Sequence, residues 1–289
     1  MKRNTRFAVT LLSLLLALSL SVSAWITPAM AAAPAEKLSD EQSRKTSEIT
    51  LADGTKTGVL WSDISVSGSV YGADRQVNMV EVDLSNTHLS MEVLTGGQYM
   101  VSTKTLPKAA ADYNASHKGQ TVLAAINGDL WMTGVNSNSN VTKSVLKTTR
   151  GVMIIDREIW ATQEFGMENY QNTSGASTVA SLKSAFGVTD KNQPIVGAPV
   201  ITVKITNETR NTTVTPDGLN RLPAWDSMVV YNYRINSLNY ALNDSYEIAL
   251  TTDNSSFTLD NKVTAKISAI YPSGSTNRPA IDKNTIVIT

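Results

Sequence analysis

Residues 123–134 read "LAAINGDLWMTG". An apolar run, Leu123 to Ile126, stops at Asn127-Gly128-Asp129, and bulky apolar residues resume at Leu130-Trp131-Met132. An amide and a carboxylate around a glycine can do chemistry. Asn can hydrogen-bond a sugar hydroxyl or an anion, and Asp can activate water or stabilise a cation. Gly128 would let the backbone turn sharply after a strand end. Trp131 would supply an aromatic platform for a sugar ring. The plain alternative is an Asx turn at the end of a strand. The apolar residues after the triplet favour a partly apolar cleft, because surface turns run on into polar sequence.

A second candidate is Arg150-Gly151 in "TTRGVMIIDREIW". An Arg at a strand start can clamp a phosphate, with the glycine allowing close approach. A solvated Arg is the competing reading, and Glu158 reads as surface charge. With two His, His88 and His117, and no Cys, the chain is poorly equipped for a His-rich zinc site, a Ser-His-Asp triad or a Cys-His dyad. Neither a metal site nor a cofactor is expected. The 136–142 loop is rich in Asn and Ser without the spacing of a calcium cage.

The elements that must position these residues read as mostly β. "GVLWSDISVSG", "RQVNMVEVDLS" and "HLSMEVLTGG" alternate apolar and polar residues at the strand period. Leu106, Ala109, Ala110 and Tyr113 recur at helical spacing, which predicts a helix over 105–118 ended by Gly119. "TVLAAI" suits a strand buried on both faces. "RGVMIIDREIWAT" predicts a hairpin turning at Asp156-Arg157, and "SAFGVTDKNQPIVG" a second one. Further strands follow in "PVITVKITNETRNTTVT", "DSMVVYNYRI", "SYEIALTTD", "VTAKISAI" and "NTIVIT". "DGLNRLP", 217–223, reads as a turn into an irregular segment. The last strand stops at the chain end, as an edge strand or as a cut within a larger domain. The fold class is therefore α+β: predominantly β, mixed sheets with one or a few helices, incomplete at the C-terminus.

The 289 residues hold 25 Lys+Arg against 25 Asp+Glu, so no basic excess recruits nucleic acid. Apolar residues make up 42%, enough for a core. Lys2, Arg3 and Arg6 precede an apolar run, and "PAMA" ends with small residues at Ala29 and Ala31. That is the form of a secretory signal, with a single-pass anchor as the alternative. Residues 1–31 are read as signal peptide, 32–56 as a mobile linker, and 57–289 as the domain. The expected protein is secreted or at the cell surface, of bacterial character, without stable membrane insertion after signal cleavage.

Five stretches in order, "VEVDLSNTHLSMEVL", "VLAAINGDLWM", "RGVMIIDREIW", "SAFGVTDKNQPIVG" and "LNRLPAWDSMVVYN", resemble the phosphodiester glycosidase family. Its best-known type is N-acetylglucosamine-1-phosphodiester α-N-acetylglucosaminidase. The resemblance spans residues 57–289, and "AAINGD" is its most specific piece. It implies a glycosidase that hydrolyses sugar-1-phosphodiester linkages in surface or extracellular glycans, with a carbohydrate or sugar-phosphate polymer as partner. Asp129 and Asn127 would be catalytic; Gly128, Trp131, Arg150, Gly151 and Lys183 would bind substrate. Leu130-Trp131 stands where the family carries an aromatic pair, and Lys183 where it often carries an Arg before an Ala-Ile/Phe-Gly hairpin. Lys keeps the charge without the bidentate fork. The family's C-terminal third, with its Gly-rich "DGGGSS" loop, has no counterpart here, so the chain is expected to be a fragment. A non-catalytic carbohydrate- or wall-binding domain is the alternative, and a structural β domain a third reading.

Overall fold

In a computed structural model, the structure describes residue 38 and residues 40–68, 73–100, 102–129, 131–132, 148–149, 151–163, 170–171, 177–178, 184–221, 227–235, 245–275 and 280–289. The expected signal peptide lies outside them. The architecture is α+β and predominantly β, several small sheets with one α-helix among the described residues.

The chain opens on an antiparallel meander of β1 (Glu41–Thr50), β2 (Lys56–Val66) and β3 (Arg75–Glu81). β1 corrects the linker assignment. Its sequence, "EQSRKTSEIT", is polar enough to read as linker, but it is held by backbone pairing to β2 from Glu41↔Val66 to Thr50↔Lys56. β2 carries the apolar alternation for both neighbours and buries Val59, Ile64 and Val66. The expected third strand, "HLSMEVLTGG", does not form: residues 88–97 carry no strand.

Helix α1 (Leu106–Ser116) forms where the spacing predicts. Thr105 is its N-cap, a proline sits in the first turn, and Gly119 takes φ +85 just beyond the end. None of its residues is buried. The next expected element, a buried strand over "TVLAAI", is absent: residues 120–128 belong to no regular element, and Ile126 is 83% exposed. A strand buried on both faces needs a layer against each face. Among the described residues neither layer is present here, so the apolar run stays uncovered.

Two short pairs and a hairpin follow. β4 (Trp131–Met132) pairs with β5 (Thr148–Thr149). β6 (Met153–Ile155) pairs with β7 (Glu158–Ala161) through Ile155↔Glu158, leaving Asp156 and Arg157 as a two-residue turn. Their φ angles, 50 and 68, are those of a type I′ turn made without glycine. β8 (Tyr170–Gln171) pairs with β9 (Ser177–Thr178). Next come the hairpins β10 (Ala185–Val188) with β11 (Pro194–Gly197) and β12 (Ile205–Asn207) with β13 (Thr212–Val214).

The main sheet is built from β14 (Gly218–Leu219), β15 (Val229–Tyr231), β16 (Glu247–Thr251), β17 (Lys266–Tyr271) and β18 (Thr285–Ile288), in the order β14-β15-β18-β16-β17. β14 and β15 run parallel and the other pairs antiparallel. β18, the last strand of the chain, is central and not an edge. Both its ladders are filled by earlier strands, and its Ile286 and Val287 are buried. Alternation along β15 and β18 divides the core between the two sheet faces. Val229, Tyr231 and Val287 join Trp160, Ala161, Met100, Ile235 and Ile281. Val230 and Ile286 join Ile159 and Leu219. Among the described residues no helix is long and apolar enough to cross a membrane.

Candidate functional site

Asn127, Gly128 and Asp129 are all exposed, and Asp129 lies in a bend. The partly apolar cleft expected around Asp129 is therefore not found among the described residues. Leu123 to Ile126 belong to no strand, and the triplet that follows them is exposed. The bend is nevertheless tied down. Asp129 Oδ2 accepts the Gly151 N–H at 2.6 Å. Two residues beyond Asp129 the chain enters β4, where Trp131 stands opposite Thr149.

Asp129 and Gly151, from two stretches singled out separately in the sequence, are thus neighbours in space. Arg150 and Lys183 lie outside the described residues. Trp131 is placed by its backbone in β4 alone.

Behind Gly151 stands a residue the sequence reading passed over. Arg221 is 3% exposed, and its guanidinium donates from Nη1 to the Thr149 carbonyl and from Nη2 to the Gly151 carbonyl. The Tyr231 hydroxyl donates to the Arg221 carbonyl at 2.5 Å. One residue earlier, buried Asn220 donates from Nδ2 to the Trp160 carbonyl at 2.7 Å and to Asn232 Oδ1 at 2.8 Å. Asn232 returns its own N–H to Asn220 Oδ1 at 3.1 Å and donates from Nδ2 to the Ser255 carbonyl at 2.8 Å. Buried amides hold their position only when their hydrogen bonds are met, and these two are met largely by each other and by main chain. The signal in "DGLNRLP" was the same one that drew notice at Asn127: polar side chains set directly against apolar ones.

A second polar cluster joins β7 to the 3-10 turn at Tyr233–Ile235. Glu158, read from the sequence as surface charge, is buried and ion-paired with Arg234. Arg234 Nε donates to Glu158 Oε1 at 3.0 Å, and the Tyr233 hydroxyl to the same oxygen at 2.7 Å. The Arg234 guanidinium also stacks 3.8 Å from the centre of the Trp160 ring and 4.5 Å from that of Tyr233. Burial would raise the Glu158 carboxyl, but the hydrogen bonds from Arg234 and Tyr233 outweigh it and hold the group below its usual 4.5. Burial, then the hydrogen bond to Glu158, push the Tyr233 hydroxyl up to about 12. It is a fixed donor at neutral pH. Arg234 Nη1 donates to the Gln98 carbonyl at 3.0 Å and its own carbonyl accepts the Met100 N–H at 2.8 Å, so the cluster anchors the segment before α1.

Among the described residues no group of three or more His, Cys, Asp or Glu side chains could hold a metal ion. The arrangement offers a surface carboxylate fixed on one oxygen, beside a main-chain segment braced from within by a buried guanidinium.

No protein-family model matches the chain, and no curated protein matches it. Among solved structures it is similar to the crystal structure of a hypothetical protein from Synechocystis, with a TM-score of 0.52 and 17% identity. The likeness covers 80% of this chain and 35% of that one, and at this identity it bears on the fold alone.

Proposed function

We propose that the chain belongs to a secreted glycosidase that hydrolyses sugar-1-phosphodiester linkages in surface or extracellular glycans. The observation that carries the reading is the 2.6 Å hydrogen bond from Gly151 N–H to Asp129 Oδ2, which puts the candidate carboxylate beside the candidate phosphate-binding stretch. The bond to be broken joins an anomeric carbon to a phosphate oxygen. Its transition state is oxocarbenium-like, and the phosphomonoester departs as a dianion whose conjugate acid has a pKa of about 6. Such a leaving group needs little protonation. The demand falls on a carboxylate that activates water or shields the cation, and on donors that hold the phosphate. Asp129 is proposed for the first task, Asn127 for sugar or phosphate binding, and Arg150 for the phosphate. Gly128, Trp131, Gly151 and Lys183 are proposed substrate contacts.

The test is hydrolysis of a chromogenic sugar-1-phosphodiester by the purified protein and by Asp129→Asn. Loss of turnover by about 100-fold or more in the variant is expected from removing a carboxylate that acts in the transition state. Equal turnover in both removes Asp129 from the mechanism, and no turnover in the unsubstituted protein removes the enzymatic reading.

The exposure of Asn127, Asp129 and Ile126 favours one alternative, a carbohydrate- or wall-binding surface without catalysis. Glycan-array binding that persists without turnover, and falls in Asn127→Ala, is its expected signature.

A further inference from the structure

We infer that Arg221 is a positioning residue for the Asp129 carboxylate, acting through the main chain of Thr149 and Gly151. The two carbonyls it holds belong to the peptide units before and after the one that carries the Gly151 N–H. Holding the Thr149 and Gly151 carbonyls restrains the Gly151 main chain, whose N–H is the one aimed at Asp129 Oδ2. A guanidinium is the side chain suited to this, because its planar fork presents two donors at fixed separation. A lysine ammonium would carry the same charge as a single point.

The fork is itself held. The Arg221 main-chain carbonyl accepts from the Tyr231 hydroxyl, and Asn220 beside it is locked to Asn232. The close approach of Gly218 completes the seat: a Cβ there would lie 3.1 Å from Arg221 Cγ and 2.8 Å from Thr162 Oγ1. Rigidity thus passes from the main sheet through Arg221 to the segment whose amide is bonded to Asp129. The Gly151 N–H donates directly to Asp129 Oδ2, so bracing the main chain that carries it helps fix the direction of that carboxylate.

The role in hydrolysis rests on the function proposed above, but the brace can be tested without substrate. Amide hydrogen exchange and the proton shift of Gly151 are read by NMR in the intact chain, in Arg221→Lys, in Arg221→Gln and in the Asp129→Asn reference. In either Arg221 variant, Gly151 exchange is expected to rise about tenfold or more, and its proton to move toward its position in Asp129→Asn, as loss of a hydrogen bond to a charged acceptor requires. The amides of Ala249 and Val287 in the main sheet stay protected. Where the chain hydrolyses a sugar phosphodiester, kcat falls in the same variants more than KM rises.

A Gly151 amide unchanged in a folded Arg221 variant overturns the inference. Gly151 protection lost only in step with Ala249 and Val287, in both variants, also overturns it and makes Arg221 a strut of the fold. A wild-type chain that cleaves no phosphodiester sinks the proposed function and leaves the Gly151 readout standing.

Discussion

The carboxylate of Asp129 and the amide of Gly151, 22 residues apart in sequence, meet at 2.6 Å. Position 151 is close to this contact in a second sense, since a Cβ built there would lie 3.1 Å from Asp129 Oδ2. That is tighter than comfortable contact, and the carboxylate is the part able to yield. Gly151→Ala should therefore fold with stability changed by less than about 1 kcal/mol, the usual range for a partly exposed site. It should also turn the Asp129 side chain away from its bond. Thermal melting checks the first expectation. A fall in phosphodiester hydrolysis, or an upfield shift of the residue-151 amide proton, checks the second.

The Asn220–Asn232 pair ties β14 to β15 from inside the core, with both side chains fully buried. Truncating Asn232 removes the acceptor of Asn220 Nδ2 and of the Arg234 N–H, and the donor to the Ser255 carbonyl. Asn232→Ala should cost about 2–4 kcal/mol, the sum of several lost bonds and the stranded groups of Asn220 and the Ser255 carbonyl. Urea denaturation would show it as a lower midpoint with an unchanged slope. A shift under about 0.5 kcal/mol would mean that the pair is not a structural tie.

The parts of the fold legible in the sequence are those set by local patterns. The helix at 106–116 and the hairpins at 153–161 and 185–197 stand where spacing and turn residues put them. The meander strands β2 and β3 do too. What misled was context. "EQSRKTSEIT" has a linker's composition but forms β1, because backbone pairing asks little of side chains that face water. "TVLAAI" has a buried strand's composition but stays unpaired, because burial is a property of the neighbours. The last strand gave no local sign that it would sit in the middle of a sheet. At the site, the meeting of Asp129 with Gly151 joins two stretches each marked in the sequence. Arg221 went unmarked because an Arg beside a Pro-containing turn is ordinarily solvated, and its burial depends on β15 packing across it.

The turn between β6 and β7 is made from Asp156 at φ 50 and Arg157 at φ 68. Asp tolerates this left-handed region better than a long side chain does. Arg157→Gly removes the Cβ penalty of about 1 kcal/mol and gives back part of it through the greater freedom of the unfolded chain. The net expectation is a stabilisation of about 0.5 kcal/mol, with β7 and the Trp160 environment undisturbed. Differential scanning calorimetry with Trp fluorescence checks it. A destabilised Arg157→Gly would show that the arginine makes a contact worth more than the strain.

Glu158 gives the fold a built-in acid dependence. Burial acts to raise its carboxyl, the hydrogen bonds from Arg234 and Tyr233 prevail, and the net displacement is downward from 4.5. A depressed carboxyl contributes stability that is fully present above the unfolded value and is lost as pH falls through the folded one. Glu158→Gln removes the charge and keeps the shape. At pH 7 it should be less stable than the natural sequence by about 2 kcal/mol, the scale of hydrogen bonds to a charged group. As pH falls below the usual 4.5 the gap should narrow, because the natural glutamate takes up its proton and loses the same advantage. Urea unfolding of both proteins from pH 7 to pH 3 reads this directly. A gap that stays constant across that range would mean the Arg234 guanidinium is held by the faces of Trp160 and Tyr233, with the carboxylate adding nothing.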